Sequence, residues 1–195
     1  MKKKSAWREK RSDVEENEPR PVVAREEKTL SPERKRERTM QRAARLLAAR
    51  PRSRGELRAR LLEKEWTDAE TVEAVLERMA EYGYLDDAKF AQNYAAYQVR
   101  QKPTGRNRLK RELAQRKIAP EIVEAALEEV FSEVSEAALL DEALAKRLRA
   151  KGRPQNRAEA QNLAAYLFRH GFSGDLVWEK VRAAGLATDE DEGEI

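Results

Sequence analysis

The chain has 195 residues, of which 39% are Asp, Glu, Lys or Arg and 40% are apolar, with a formal net charge of +4. An ordinary soluble domain is about 25% charged, so the core must be economical and the body thin or modular. No apolar run approaches the roughly 20 residues that cross a bilayer, and the absence of cysteine excludes disulfides, thiol nucleophiles and thiolate metal sites.

The first segment, MKKKSAWREK, opens on lysines with no apolar stretch of about 7 to 15 residues behind them, which speaks against a secretory signal and for a cytoplasmic location. Residues 1–38 carry 13 Lys/Arg and 9 Asp/Glu and no periodic apolar residues. Such composition cannot offset its ordering entropy by burial, so residues 1–31 are expected to be a disordered charged tail, with Trp7 a stray aromatic. Residues 186–195 are expected to be a second, acidic tail, since the run from Asp189 holds five acids. The ends being +4 and −5, the part between them carries +5.

Between residues 39 and 185 proline and glycine are scarce and apolar residues recur at three and four, which predicts an all-helical body. Three stretches within it are alike: LRARLLEKEWTDAETVEAVLE from Leu57, LKRELAQRKIAPEIVEAALEE from Leu109 and LAAYLFRHGFSGDLVWEKVRA from Leu163. In each, a second leucine follows at four residues (Leu61, Leu113, Leu167) and a bulky apolar residue five further on (Trp66, Ile118, Phe172), the first copy needing one extra residue. A second amphipathic segment follows each. Another helix precedes each pair, over about Pro32 to Ala49, Asp87 to Gln101 and Ser135 to Ala150. The expectation is three tandem three-helix units at 32–85, 86–131 and 132–185.

Capping-box spacing marks helix starts at Ser53 with Glu56, Thr67 with Glu70 and Asn156 with Glu159, and Pro120 suits a first helical position. Nothing between Pro120 and Gly152 is a strong breaker, so one long helix could run through; a break near 131–135, where Ser132 or Ser135 can cap a new helix, is the favoured reading. Gly83 suits a left-handed helix end, with Tyr84 and Leu85 folding back and Asp86 capping the next helix. In that helix Phe90, Tyr94 and Tyr97 share one face and are expected to pack in the core rather than stack on bases, Tyr97 being the candidate exception.

Charge is zoned. Tyr97 to Lys117 holds eight Lys/Arg against Glu112, and Ala119 to Glu142 holds eight acids and no base, which suits steering toward a charged partner. With Leu109 and Leu113 facing inward, 100° steps throw Arg108, Asn107 and Arg111 outward and Lys110 to the flank. Arg108, Lys110 and Arg111 are therefore the first candidates for partner or nucleic-acid binding, with Arg100, Lys102, Arg58 and Tyr97 behind them. Lys146, Arg147 and Arg149 are the candidates in the third unit. At +5 over the middle, a protein partner is favoured over bare DNA. His170, the sole histidine, ends a helix and reads as a cap. No Gly-rich phosphate loop or metal-ligand spacing is present, so no catalysis and no cofactor are expected.

The stretches RAARLLAARPRSRGELRARLLEKEW, YGYLDDAKFAQNYAAYQVRQKPTGRNRLKRELAQRKI and GRPQNRAEAQNLAAYLFRHGF resemble the RecX family, the bacterial regulators of the RecA recombinase, over about residues 39–184. The resemblance implies an all-α, elongated, curved array of three-helix units that acts as a monomer without catalysis. It would lodge in the groove of a RecA filament on single-stranded DNA and restrain strand exchange, ATP hydrolysis and co-protease activity, with secondary DNA contact. Autonomous DNA binding through basic helix faces is the alternative. The family often has glycine before the aromatic or isoleucine, as in His170-Gly171-Phe172, whereas Glu65 and Lys117 stand there in units one and two. Those two turns are expected to close differently.

Overall fold

The structure is a computed structural model and describes residues 30–184. The charged segments at 1–29 and 185–195, with Trp7 and the acids from Asp189, lie outside the described residues. Ser31 does not belong to a tail: its hydroxyl accepts from the Arg34 N–H (3.4 Å) and caps the first helix.

Among the described residues there are nine α-helices and no strand. They are α1 (Pro32–Ala49), α2 (Arg54–Leu62), α3 (Ala69–Glu81), α4 (Asp87–Gln101), α5 (Arg106–Gln115), α6 (Pro120–Glu133), α7 (Glu136–Lys151), α8 (Arg157–Arg169) and α9 (Gly174–Ala183). Their close packing is α1 with α2 and α3, α4 and α5 with α6, and α7 and α8 with α9. Local chemistry explains most boundaries. Ser53 and Glu56 form a complete capping box, Pro120 opens α6, and Ser135 caps α7 after the chain turns extended at Val134. Gly83 takes φ +74°, the Tyr84 N–H returns to the Met79 carbonyl (2.9 Å), and Leu85 is buried. Tyr84 folds back only through that backbone bond; the residue is 68% exposed, its ring edge-on to Tyr82.

Two caps differ from expectation. Asp68, not Thr67, caps α3 by accepting from the Thr71 N–H (2.9 Å). Thr67 is occupied by the buried Thr39 hydroxyl of α1 at 2.9 Å, a tertiary bond that sequence spacing does not announce. Asn156 caps α8, but Glu159 reaches back to the Gln155 N–H (2.8 Å) rather than to the cap residue. The turn expected to change at Lys117 keeps its left-handed form, since Lys117 has φ 60° without being glycine. The turn at Glu65 does change, closing through Lys64 N–H to the Leu61 carbonyl and Thr67 N–H to the Lys64 carbonyl, both 3.2 Å.

The core is divided. Ala43, Leu57, Leu61, Val72, Val75, Leu76, Met79 and Leu85 form one cluster within the first three helices. A second runs without interruption from Ala91 to Val181 through α4–α9. The buried seam of α4 is Ala91, Ala95 and Val99; Phe90 and Tyr94 stack beside it, half-buried, under the Arg116 guanidinium, and Tyr97 is 59% exposed. Small residues allow α4 to approach α6 closely, which pushes the aromatic face to the edge.

The sets of three are joined head to tail by one repeated device. At the start of α2, the Ser53 hydroxyl bonds the Arg116 carbonyl at the end of α5, and the Arg54 N–H donates to Asp87 Oδ1 (2.7 Å), the first residue of α4. At the start of α5, the Gly105 N–H donates to the His170 carbonyl (2.9 Å) and Asn107 N–H to the Gly171 carbonyl (3.0 Å), while Arg106 N–H donates to Glu136 Oε1 (3.0 Å), the first residue of α7. Orphan helix-start donors thus take carbonyls and one acid from the next three helices. Gly171, at φ +88°, sits so close that a Cβ there would lie 2.3 Å from Arg108 Cβ.

Candidate partner interface

The basic segment expected from charge zoning lies on the end of α4, the connector after it and α5. The structure separates its members into three groups. Arg100, Lys102 and Arg111 are exposed and make no ion pair among the described residues. Lys110 is exposed but pairs with Glu124 of α6, as does Arg106 (3.6 Å); these bonds, chiefly the one from Lys110, hold the Glu124 carboxyl below its usual range.

Arg108 is a correction. It does not point outward. Its guanidinium bonds Glu112 at 2.8 Å with only 32% of the side chain exposed, and its Cβ lies against Gly171 of the next set. The 100° steps placed it opposite Leu109 and Leu113, but α5 is also covered at its start by the α8–α9 turn, a second buried side that one helix's periodicity does not contain. Burial opposes ionisation of Glu112 most strongly, yet hydrogen bonds from Arg108 and Tyr94 (2.8 Å) outweigh it and keep its carboxyl below the ordinary value.

Arg58 of α2 is exposed, yet it is tied to Glu73, which also takes Arg54 (3.1 Å); the bond from Arg58, foremost, holds Glu73 below its usual range despite partial burial. On α7, Lys146 and Arg149 are exposed without an acid partner among the described residues, and Arg147 lies over the Tyr166 ring at 4.9 Å. Tyr97, exposed on α4, is three residues from Arg100 and so shares its helix side. His170 caps α8: Nδ1 is 2.9 Å from the Tyr166 carbonyl, and its own carbonyl takes Gly105. Exposed rings the sequence reading did not select are Phe168 and Trp178, edge to face at 6.2 Å.

Among these candidates, the exposed cations without an ion pair among the described residues are thus Arg100, Lys102 and Arg111 around α4 and α5, and Lys146 and Arg149 on α7. Residues 40–79 match the first three-helix domain of RecX and residues 86–127 the second. A curated relative from Halorhodospira halophila named "Regulatory protein RecX" is 38% identical over 152 residues, 77% of this chain and 88% of the relative. The chain belongs to the RecX family. A Deinococcus radiodurans relative of the same name is 34% identical over 180 residues, 92% of this chain and 81% of its own. Two crystal structures share the RecX fold. RecX from Lactobacillus salivarius gives a TM-score of 0.69 at 16% identity, covering 78% of this chain and 97% of that one. A structure of regulatory protein RecX gives 0.67 at 22% identity, covering 78% and 73%. No described helix is long and apolar enough to cross a membrane.

Proposed function

We propose that this RecX-family chain binds along the groove of a RecA filament on single-stranded DNA. It restrains the filament's strand exchange, ATP hydrolysis and co-protease activity by occupying the groove, as a monomer in the cytoplasm and without chemistry of its own. The observation that carries this reading is the head-to-tail junction. The same polypeptide contact repeats from set to set, so the cations of the second and third sets are presented in succession, a pattern fitted to a polymeric target rather than to a small ligand. Family membership supports RecA as the target, the relatives being named regulatory protein RecX. The contact bases proposed are Arg100, Lys102, Arg111, Lys146 and Arg149, with Tyr97 beside them; Lys110, Arg58 and Arg147 are engaged within the chain and contribute at the edge.

The test is ATP turnover by RecA on single-stranded DNA with increasing amounts of the chain. Inhibition is expected, and Lys102→Glu with Arg111→Glu should weaken it at least about tenfold, about the effect of losing 1.4 kcal/mol of contact. A turnover rate indifferent to the chain would overturn the reading. If inhibition instead tracked binding to naked oligonucleotide across salt, with a log–log slope of about 0.7 per phosphate contact, autonomous DNA binding would replace it.

A further inference from the structure

The first set supplies only Arg58, at the edge, to the contacts proposed above. Yet residues 32–62 carry eleven Lys/Arg against three acids, and ten of the eleven are arginine. Four of these, Arg34, Arg38, Arg42 and Arg45, fall within about 80° of one another on α1 at 100° per residue. Arg34, Arg38 and Arg45 are exposed and Arg42 is half-buried. None of the four makes an ion pair among the described residues.

The repeat shows what the same face carries elsewhere. With Leu57 laid on Leu109, Ala49 at the end of α1 falls on Gln101 at the end of α4, and the inward seam of Thr39, Ala43 and Leu47 falls on Ala91, Ala95 and Val99. In this register Arg38, Arg42 and Arg45 stand where α4 has Phe90, Tyr94 and Tyr97, and Arg60 of α2 stands where α5 has Glu112. In the second set the Tyr94 hydroxyl donates to Glu112 (2.8 Å), and the face closes on itself. In the first set both positions are arginine. Arg42 reaches Arg60 only at its carbonyl, Nη2 to O at 3.5 Å, and Arg42 Nε is buried with no acceptor among the described residues. A donor taken out of water and left unbonded is costly, and two arginines in place of a Tyr–Glu pair leave the face short of negative charge. The missing acceptor is one that a ligand brings.

We propose that this face of the first set seats the phosphates of a nucleic-acid strand. The planar fork of arginine matches phosphate oxygens in pairs, which a lysine does not. Arg34, Arg38 and Arg42 succeed one another at about one helical turn, about 6 Å of rise, close to the separation of neighbouring phosphates along one strand. The carboxylates of an acidic protein surface keep no such regular interval. Arg38 lies over the Trp66 ring at 4.5 Å, which fixes the guanidinium plane while its N–H edges stay open to an oxygen. The one amide within the stripe, Gln41, is bonded to Glu37 (3.2 Å), so the stripe holds the backbone and is indifferent to base sequence. The face lies on other helices than Arg100, Lys102 and Arg111, and the proposal stands apart from the RecA assignment.

The experiment titrates the full chain and three variants into a fluorescein-labelled twelve-nucleotide oligo-dT, starting at about 50 mM salt. Arg38→Gln with Arg45→Gln, both exposed, should weaken binding at least about tenfold and lower the log–log salt slope by about 1.4, two contacts at about 0.7 each. Arg42→Tyr with Arg60→Glu copies the pair of the second set. It should keep the thermal midpoint, because the chain then supplies its own acceptor, and still weaken binding at least about tenfold. Should that variant unfold, the first decides alone. Arg157→Gln with Arg169→Gln, exposed on α8, removes the same charge as the first variant from another set and should change affinity no more than about twofold, distant surface charge being screened. No binding by the intact chain, binding unmoved by the α1 variants, or an equal loss in the α8 variant, which assigns the effect to net charge, each overturns the proposal. So does a twelve-residue polyglutamate that displaces the oligonucleotide at lower concentration than unlabelled oligo-dT, since the face then belongs to acidic polypeptide. No readout here contains RecA, so failure of this proposal and failure of the filament reading are told apart.

Discussion

Replacing Gly171 by alanine tests the junction between the second and third sets. The residue has φ +88°, which is strained for any L side chain, and the new Cβ would stand 2.3 Å from Arg108 Cβ and N. The left-handed conformation costs about 1 kcal/mol. Relief of the clash pulls the turn from α5 and weakens the bonds to Gly105 and Asn107, about 1 kcal/mol each, for a total of about 3 kcal/mol. Gly83→Ala is the control: φ is +74° but nothing lies within 4 Å, so only the conformational cost of about 1 kcal/mol applies. Gly105→Ala is the complement, because φ is −81° and the loss, about 2 kcal/mol of bonding, is steric alone. With a urea slope of about 2 kcal/mol per molar, the midpoints should fall by about 1.5, 0.5 and 1 M respectively. Amide exchange supplies a local readout: Gly105 and Asn107 should lose protection in Gly171→Ala and keep it in Gly83→Ala. If Gly171→Ala falls no further than Gly83→Ala, the packing argument for the junction is wrong.

Lys117→Gly should raise stability by about 0.5–1 kcal/mol in chemical denaturation, by relieving the one non-glycine left-handed residue among those described. Asp87→Asn should be tolerated, since burial raises the carboxyl's pKa against the pull of the Arg54 bond and the amide oxygen can keep that bond; Asp87→Ala should lower the thermal midpoint, orphaning an N–H at about 1–2 kcal/mol. Asp68 is held down to about 2, first by the Thr71 backbone N–H, then by the Thr71 side chain and then by Lys35. Its folded value being below its unfolded one, its contribution is complete above about pH 4 and is lost as pH falls through about 2. Asp68→Asn should flatten the acid limb of a stability–pH curve in that window. Lys110→Ala and Tyr97→Ala should each change stability by less than about 0.5 kcal/mol, as exposed positions do, while Tyr97→Ala weakens filament inhibition.

What could be read from the sequence was the local chemistry. Ser53-x-x-Glu56, Pro120, Gly83 and Ser135 act within four residues of themselves, and each boundary they mark is present. What could not be read depends on partners far along the chain. The α3 cap moved from Thr67 to Asp68 because Thr39, 28 residues away, claims the threonine hydroxyl. Arg108 turned inward because Gly171 covers the start of α5. Phe90 and Tyr94 pack against the core as their spacing suggested, and Tyr97 stands out of it; the deepest seam of α4 was harder to see, because Ala91 and Ala95 are weak apolar signals although their small size is what admits α6. Of the candidate interface, the cluster of bases was legible, and the sorting into tied and untied cations was not, because ion pairs such as Lys110 with Glu124 depend on how α5 lies on α6.

The divided core has a mechanical consequence. Helices α4–α9 share one continuous oily interior, whereas α1–α3 keep their own and are attached through Ser53, Arg54, Glu56 and their polar counterparts. Each such link costs about 1–2 kcal/mol to break, and opening the shared interior costs more, since it exposes the buried side chains of six helices. Hydrogen exchange should therefore find α1–α3 opening apart from α4–α9, whose amides share one buried interior.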